Sequence, residues 1–331
     1  MGAALLGVVL GGCAGSQTGE PTGVETRGGG PASLAFDREL ARLTEAGKLS
    51  GVALVGLPDT VFTQVYRHPE APEPMRVGAG SRFAIGELNQ VLLRAAYFRL
   101  ADEGRLRLNA AVGELVPGLP QRDVINFRML LDHRAGLPAT AAPGQRLRDV
   151  ELVAQPGTEE RYSPLGYAVL AEALATRLAM PIERLVAEHV LRPAGMRETV
   201  VVVPADASTL PEAWAPGYTD AEGALQPVEL GALAQNPLPS GLRPLPEYAS
   251  TVADLFYLGQ WLPASAYLRG ELTQPAVRPG YRALFHARLG EADTGAPGEE
   301  RVAVLLSNFG GTDLRRAGEV LRGPRRAPDA D

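Results

Sequence analysis

The sequence predicts an α/β protein of the α+β type, with an antiparallel sheet formed by both chain ends and a helical lobe inserted between them. Near the beginning, 51–56 and 61–66 are short runs rich in β-branched residues, which are typical of strands. Near the end, 281–287 alternates in hydropathy and 302–306 is continuously apolar. The intervening patterns are helical, so the two ends are expected to meet in one sheet.

The first elements are a helix and a hairpin. A helix is expected over 34–48. The strands 51–56 and 61–66 are separated by Pro58 and Asp59, which favour a turn, so they form a hairpin. Five further helices are expected at 127–132, 166–178, 181–190, 252–262 and 313–321.

A helix beginning near residue 88 is predicted to be central and buried. Its apolar residues cover much of the helix circumference, whereas a surface helix has one apolar stripe. Gly104 supplies its natural end. The apolar positions are Leu88, Val91, Leu92, Ala95, Ala96, Phe98 and Leu100.

The composition is that of a folded protein with a large core. The 331 residues are 45% hydrophobic and 21% charged, which excludes a disordered chain. The formal net charge is −6, so no basic surface for nucleic acid is expected. Lys48 is the only lysine, and therefore the only amine side chain available for chemistry.

The amino-terminal segment resembles a bacterial lipoprotein signal. An apolar run over 3–10, too short to span a bilayer, leads into Gly11, Gly12 and the only cysteine, Cys13. The resemblance implies lipidation of Cys13 and a protein anchored by acyl chains. The expected organisation is a signal over 1–12, a flexible tether over 13–33, a domain over 34–323 (sheet lobe 34–80 plus 251–323, helical lobe 81–250) and a tail over 324–331.

A series of short motifs resembles the β-lactamase-related serine hydrolases in both content and order. This family includes class C β-lactamases, serine esterases and D-alanyl-D-alanine peptidases, which share the penicillin-recognising fold. The resemblance spans about 34–321 and implies a β-lactamase/transpeptidase-like fold. The segments that carry it are SRFAIG (81–86), LADEGRLRLN (100–109), HRAGLP (133–138), PGT (156–158), RPAGM (192–196), STVADL (250–255), PGY (279–281) and LSN (306–308).

Apart from Tyr162, the positions that match the family's catalytic motifs carry other residues. The Ser-x-x-Lys motif, in which an amine activates the serine, matches Glu87 and Gln90. The Tyr-x-Asn motif matches Tyr162-Ser163-Pro164, and a proline side chain donates no hydrogen bond. The His-x-Gly or Lys-Thr-Gly motif, on the strand beside the nucleophile, matches Gln274-Pro275-Ala276.

These replacements favour a non-catalytic homologue that binds a ligand or partner. The alternative is an active serine-type hydrolase of an ester, β-lactam or cell-wall peptide with a rearranged site, for which Ser163 or Ser81 would be the nucleophile. A residual pocket is expected at Glu87, Gln90, Tyr162 and Ser163. Glu87 either caps the helix or faces this pocket with Tyr162, where it activates water or binds an amine-bearing ligand.

The remaining expectations concern partners and location. The four histidines, His68, His133, His189 and His286, lack metal-site spacing, so neither a metal nor a cofactor is expected. The lipoprotein resemblance implies a location in the bacterial cell envelope, facing the periplasm. A monomer is expected, with an unknown envelope ligand or protein partner. Ala14, directly after Cys13, favours the outer membrane over the inner membrane.

Overall fold

A computed structural model describes the chain over 31–57, 60–204, 206–234, 237–262, 270–289 and 301–322. The predicted signal, Cys13, most of the predicted tether and the predicted tail lie outside these ranges. The lipid anchor therefore stays a prediction.

A five-stranded antiparallel sheet joins the two chain ends, as the sequence predicts. The strand order is β2-β1-β10-β9-β8. The first two strands form the predicted hairpin, and β1 pairs with β10 so that Val52 lies opposite Leu306. The strands are β1 (Gly51–Leu57), β2 (Thr60–Tyr66), β8 (Gly270–Arg278), β9 (Tyr281–Leu289) and β10 (Arg301–Ser307).

Both faces of this sheet are covered, which explains why 302–306 is apolar throughout. Side chains on a strand alternate between faces. Val304 belongs to the large core shared with the helical lobe, whereas its neighbours Ala303 and Leu305 belong to a second core. Phe36 and Ala317, from the helices at the two chain ends, complete that second core. A strand buried on both faces carries no polar alternation.

Eight α-helices are present in the described ranges. One of them, Arg192–Ala194, is not predicted from the sequence, and the bounds of the other seven agree with the predicted ones to within a few residues. The exception is 181–190, where the α-helix is short and continues as a π-helix over Ala187–Leu191. The helices are α1 (Pro31–Glu45), α2 (Asn89–Asp102), α3 (Phe127–Leu131), α4 (Pro164–Leu178), α5 (Ile182–Val186), α6 (Arg192–Ala194), α7 (Val252–Trp261) and α8 (Leu314–Arg322).

Helix α2 lies at the centre of the molecule, which confirms the prediction from its apolar pattern. Even its first two residues, Asn89 and Gln90, are buried. A single turn of 3₁₀ helix (Gly86–Leu88) precedes it. This turn lies against β8, the edge strand of the sheet. The helix start and the edge strand together position the site.

The inserted lobe also contains strands that the sequence analysis did not predict. β3 (Phe83–Ala84), β4 (Val200–Val202) and β7 (Glu247–Ser250) form a small antiparallel sheet in the order β3-β7-β4. A hairpin is formed by β5 (Tyr218–Ala221) and β6 (Ala224–Pro227). The small sheet places Glu247 beside the turn that precedes α2.

Among the described helices, none is by itself both long and apolar enough to cross a membrane. Pro164–Leu178 and Ile182–Ala194 meet that criterion only as a pair, and they are bent by 83° relative to each other.

Candidate functional site

Glu87 connects the start of the central helix to the edge strand. Its Oε2 accepts a hydrogen bond of 2.8 Å from the backbone N–H of Val277 on β8. Its Oε1 accepts from Nη1 of Arg278, with which it forms an ion pair. Both carboxylate oxygens of Glu87 therefore accept a hydrogen bond from the strand.

Arg278 lies between two carboxylates. While Nη1 contacts Glu87, Nε donates to Oε2 of Glu247 at 3.3 Å. The other oxygen of Glu247 accepts the backbone N–H of Gly86 at 2.8 Å. Each carboxylate oxygen of Glu87 and Glu247 thus receives a hydrogen bond. We call these three residues, Glu87, Arg278 and Glu247, the ion cluster.

The ion cluster is largely shielded from solvent. The side chain of Glu247 is 1% exposed and that of Arg278 is 14% exposed. Burial raises the pKa of Glu247, although Arg278 and the Gly86 N–H oppose this effect. Gly86 has a φ of 53°, and a Cβ here would lie 2.9 Å from Cγ of Arg278. Glycine therefore provides both the backbone angle and the space for the arginine.

Gln90 and Tyr162, which the sequence predicts to share a pocket, are in contact. Nε2 of Gln90 donates to the Tyr162 hydroxyl at 3.1 Å. Tyr162 is about half exposed, and its partial burial, together with the Glu87 carboxylate, raises its pKa, so this phenol stays protonated at neutral pH. Oε1 of Gln90 is buried and accepts from no described group.

Ser163 lies beside these residues but serves as a helix cap. Its Oγ accepts from the N–H of Gly166 at 2.9 Å and donates to the carbonyl oxygen of Pro138 at 2.7 Å. Pro164 occupies the first turn of α4, where its missing N–H costs nothing. Ser163 bonds to His133 through its backbone, since its N–H donates to Nδ1 at 3.2 Å.

The strand residues predicted for the site lie on β8, but their neighbours make the contacts. Gln274 donates to the carbonyl oxygen of Pro275, and Ala276 is buried opposite Ala283. Val277 and Arg278, the next two residues, reach Glu87. The sequence analysis missed Val277, Arg278 and Glu247. The only signal for Glu247 was a carboxylate within the apolar segment 245–249.

A cleft of about 330 Å³ opens at this position. Its described lining includes the predicted residues Glu87 and Gln90 together with Pro164, Leu245 and Arg278, but neither Tyr162 nor Ser163. Within the described ranges, no cluster of three or more His, Cys, Asp or Glu side chains is arranged to hold a metal ion. The cleft therefore presents a ligand with a polar surface on which the charged side chains, Glu87 and Arg278, are already paired.

The chain belongs to the Beta-lactamase family, whose model matches residues 36–307. This agrees with the fold and with the motifs that surround the site. Membership of the family defines the class of protein, but the chemistry depends on the residues present at the site.

Curated relatives match part of the chain. The putative penicillin-binding protein PbpX of Bacillus subtilis is 28% identical over 123 residues, which cover 34% of this chain and 31% of the relative. The D-alanyl-D-alanine-carboxypeptidase/endopeptidase AmpH of Escherichia coli is 26% identical over 196 residues, 51% of this chain and 49% of the relative. The matches thus span from about a third to about half of these relatives.

Solved structures match more of the chain at lower identity. A class C β-lactamase superposes with a TM-score of 0.68 at 16% identity, covering 88% of this chain and 94% of that one. A penicillin-binding protein from Bacillus halodurans superposes with a TM-score of 0.63 at 18% identity, covering 84% and 97%. These similarities establish the shared fold.

The environment of His133 predicts a pH dependence of stability. Burial, with the Arg94 guanidinium nearby, lowers the pKa of His133 from 6.5 to about 4. The unfolded chain therefore binds this proton more readily, so the stabilisation present above pH 6.5 is lost as the pH falls towards 4. In urea denaturation, the free energy of unfolding of His133→Asn should fall less over this interval than that of the unmodified protein. Parallel curves for the two proteins would contradict this assignment.

Proposed function

We propose that this chain is a non-catalytic member of the Beta-lactamase family that binds a ligand in the cleft beside α2. The observation that carries the proposal is the engagement of both Glu87 carboxylate oxygens by Val277 and Arg278. Glu87 is the residue that matches the family's serine position in the sequence. A carboxylate held in this way is a structural link between helix and strand.

The loss of the nucleophile and its base carries a large kinetic cost. In a serine hydrolase, removing either group reduces turnover by about a million-fold. Gln90, at the matching base position, is a neutral amide that accepts no proton at neutral pH. Lys48 lies between α1 and β1 in the sequence, outside the residues that line the cleft. No amine among the lining residues therefore replaces the missing base.

The hydrogen-bond donors around the site also favour binding over acyl transfer. Acyl transfer needs backbone N–H groups that point at a developing oxyanion. The Val277 N–H, on the strand beside the start of α2, is positioned to donate to such an oxyanion. However, it already donates to the Glu87 carboxylate. A substrate oxygen would have to displace this charged acceptor.

The hydroxyl groups of the two serines considered as relocated nucleophiles both accept hydrogen bonds from the backbone. Ser163 Oγ caps α4, and Ser81 Oγ accepts from the N–H of Gly78 at 2.9 Å. Neither hydroxyl donates to a histidine or a lysine in any described contact. The geometry therefore supports the binding role over a rearranged hydrolase.

Covalent probes test this proposal directly. We expect no mass increase when the protein is treated with a fluorophosphonate, and no hydrolysis of a chromogenic cephalosporin, while a class C β-lactamase treated in parallel reacts with both. Mass spectrometry of the intact protein is the measurement. A Glu87→Ser, Gln90→Lys double variant should acquire an adduct at position 87, since it restores the pair in which an amine activates a serine.

A stoichiometric adduct on any serine of the unmodified protein would contradict the proposal. Peptide mapping would then identify that serine, and the rearranged hydrolase would become the correct account.

We further propose that the protein is a monomeric lipoprotein of the bacterial cell envelope, anchored through Cys13, and that it faces the periplasm from the outer membrane. The support is the apolar run followed by Gly11-Gly12-Cys13, together with Ala14 and the tether-like composition after it. A flexible tether lets the domain reach ligands away from the membrane surface.

Metabolic labelling tests the anchor. In a Gram-negative host, the protein should incorporate an alkyne-tagged fatty acid and sediment with outer membranes. Cys13→Ser should abolish both, because cysteine carries the acyl chains, whereas Ser16→Ala should change neither. Equal labelling of Cys13→Ser and the unmodified protein would contradict the assignment.

A further inference from the structure

Two cavities adjoin each other beside α2. The first is the cleft of about 330 Å³ at the ion cluster, and the second has a volume of about 440 Å³. Four residues line both: Ala234, Pro237, Leu238 and Leu245. Each cavity lies in the size range of about 300–1,000 Å³ that ligand pockets occupy. A single ligand can therefore extend from one into the other.

The second cavity is apolar, unlike the first. Its remaining described lining is formed by Pro204, Leu233, Leu242 and Pro244, and by Glu247, which is the one charged residue among the described residues that line it. Both Glu247 oxygens are bonded, to the Gly86 N–H and to Arg278. This cavity accordingly suits a hydrocarbon group.

The charged side chains among the described residues that line the first cavity, Glu87 and Arg278, are paired with each other. Arg278 is shared between two carboxylates, so it has no positive charge to spare for an anionic ligand. The oxygens of Glu87 already accept from Arg278 and from the Val277 N–H, so an incoming cation would have to compete with both. A charged ligand would lose its hydration here without gaining a free partner.

One polar group in the first cavity does lack a partner. Gln90 lines the cavity and is 2% exposed, and its Oε1 accepts from no described group, while its Nε2 is held by Tyr162. A buried acceptor without a donor costs about 1–3 kcal/mol. A ligand recovers that free energy if the Gln90 side chain turns Oε1 towards the cavity and the ligand brings an N–H or O–H to it.

We propose that the two cavities together bind an uncharged ligand with a hydrogen-bond donor at Gln90 and an apolar chain in the pocket lined by Leu233, Leu242 and Pro244. A primary or secondary amide on an alkyl chain has this chemistry. The proposal rests on the binding role proposed above and specifies the class of ligand.

Three probes with the same chain length separate the effect of charge from that of the apolar chain. Octanamide, octanoate and octylammonium are titrated calorimetrically, at pH 7, into the full chain carrying Cys13→Ser, so that no attached lipid competes. Octanamide should bind saturably, and each charged probe should bind at least about tenfold more weakly, the factor expected for one unfavourable buried polar group. Equal or tighter binding of octanoate or octylammonium would overturn the proposal.

Variants test the two halves of the site separately. Gln90→Leu removes the acceptor and Leu242→Gln makes the apolar cavity polar, and each should weaken octanamide binding by about tenfold. Val201→Gln is the matched control, since Val201 is exposed on β4 and lines neither cavity. Thermal denaturation verifies that each variant is folded. If Gln90→Leu and Leu242→Gln both bind octanamide as Val201→Gln does, the proposed site is wrong.

Glu87→Gln tests the charge argument through the ratio of the octanoate and octanamide affinities, which a purely structural role of Glu87 would leave unchanged. Removing this charge leaves Arg278 with a single carboxylate, so octanoate binding should strengthen relative to octanamide. An unchanged ratio of the two affinities would overturn the charge argument.

If no probe binds while the fluorophosphonate still forms no adduct, the ligand class is wrong and the non-catalytic assignment stands. An adduct instead contradicts the proposed function, whatever the probes do.

Discussion

The ion cluster is the contact on which the account of this site depends. Arg278 links Glu87, on the turn before α2, to Glu247 on β7, while Val277 attaches the same turn to the edge strand β8. Three elements that are distant in sequence are thereby held at one point. Because the cluster is largely buried, removal of one member would leave an uncompensated buried charge, which is costly.

The fold and the site depend on different residues. The sheet and α2 are stabilised mainly by apolar contacts that are spread over two large cores. The chemistry of the family, in contrast, needs a few specific groups, and at the matching positions this chain has Glu87 and Gln90. A chain can therefore keep the Beta-lactamase architecture while its site acquires a different set of contacts.

The main sheet and the central helix could be predicted from the sequence because the local pattern of apolar residues reflects how each element is buried. The encircling apolar residues of α2 and the continuous run 302–306 indicate elements covered on all sides, and both are buried. The ion cluster could not be predicted in this way. Its contacts depend on how β8 lies against the turn before α2, which is set by tertiary packing. The motif position pointed to Gln274 and Ala276, whereas the contacts come from Val277 and Arg278.

A double-mutant cycle between Glu87 and Arg278 tests the central claim most directly. Glu87→Gln, Arg278→Gln and the double variant are compared with the unmodified protein by urea denaturation. The account predicts a coupling energy of about 1–3 kcal/mol, as expected for shielded partners in direct contact. Additive effects, with a coupling near zero, would mean that Glu87 is not held by Arg278, and the site would then be open to a substrate.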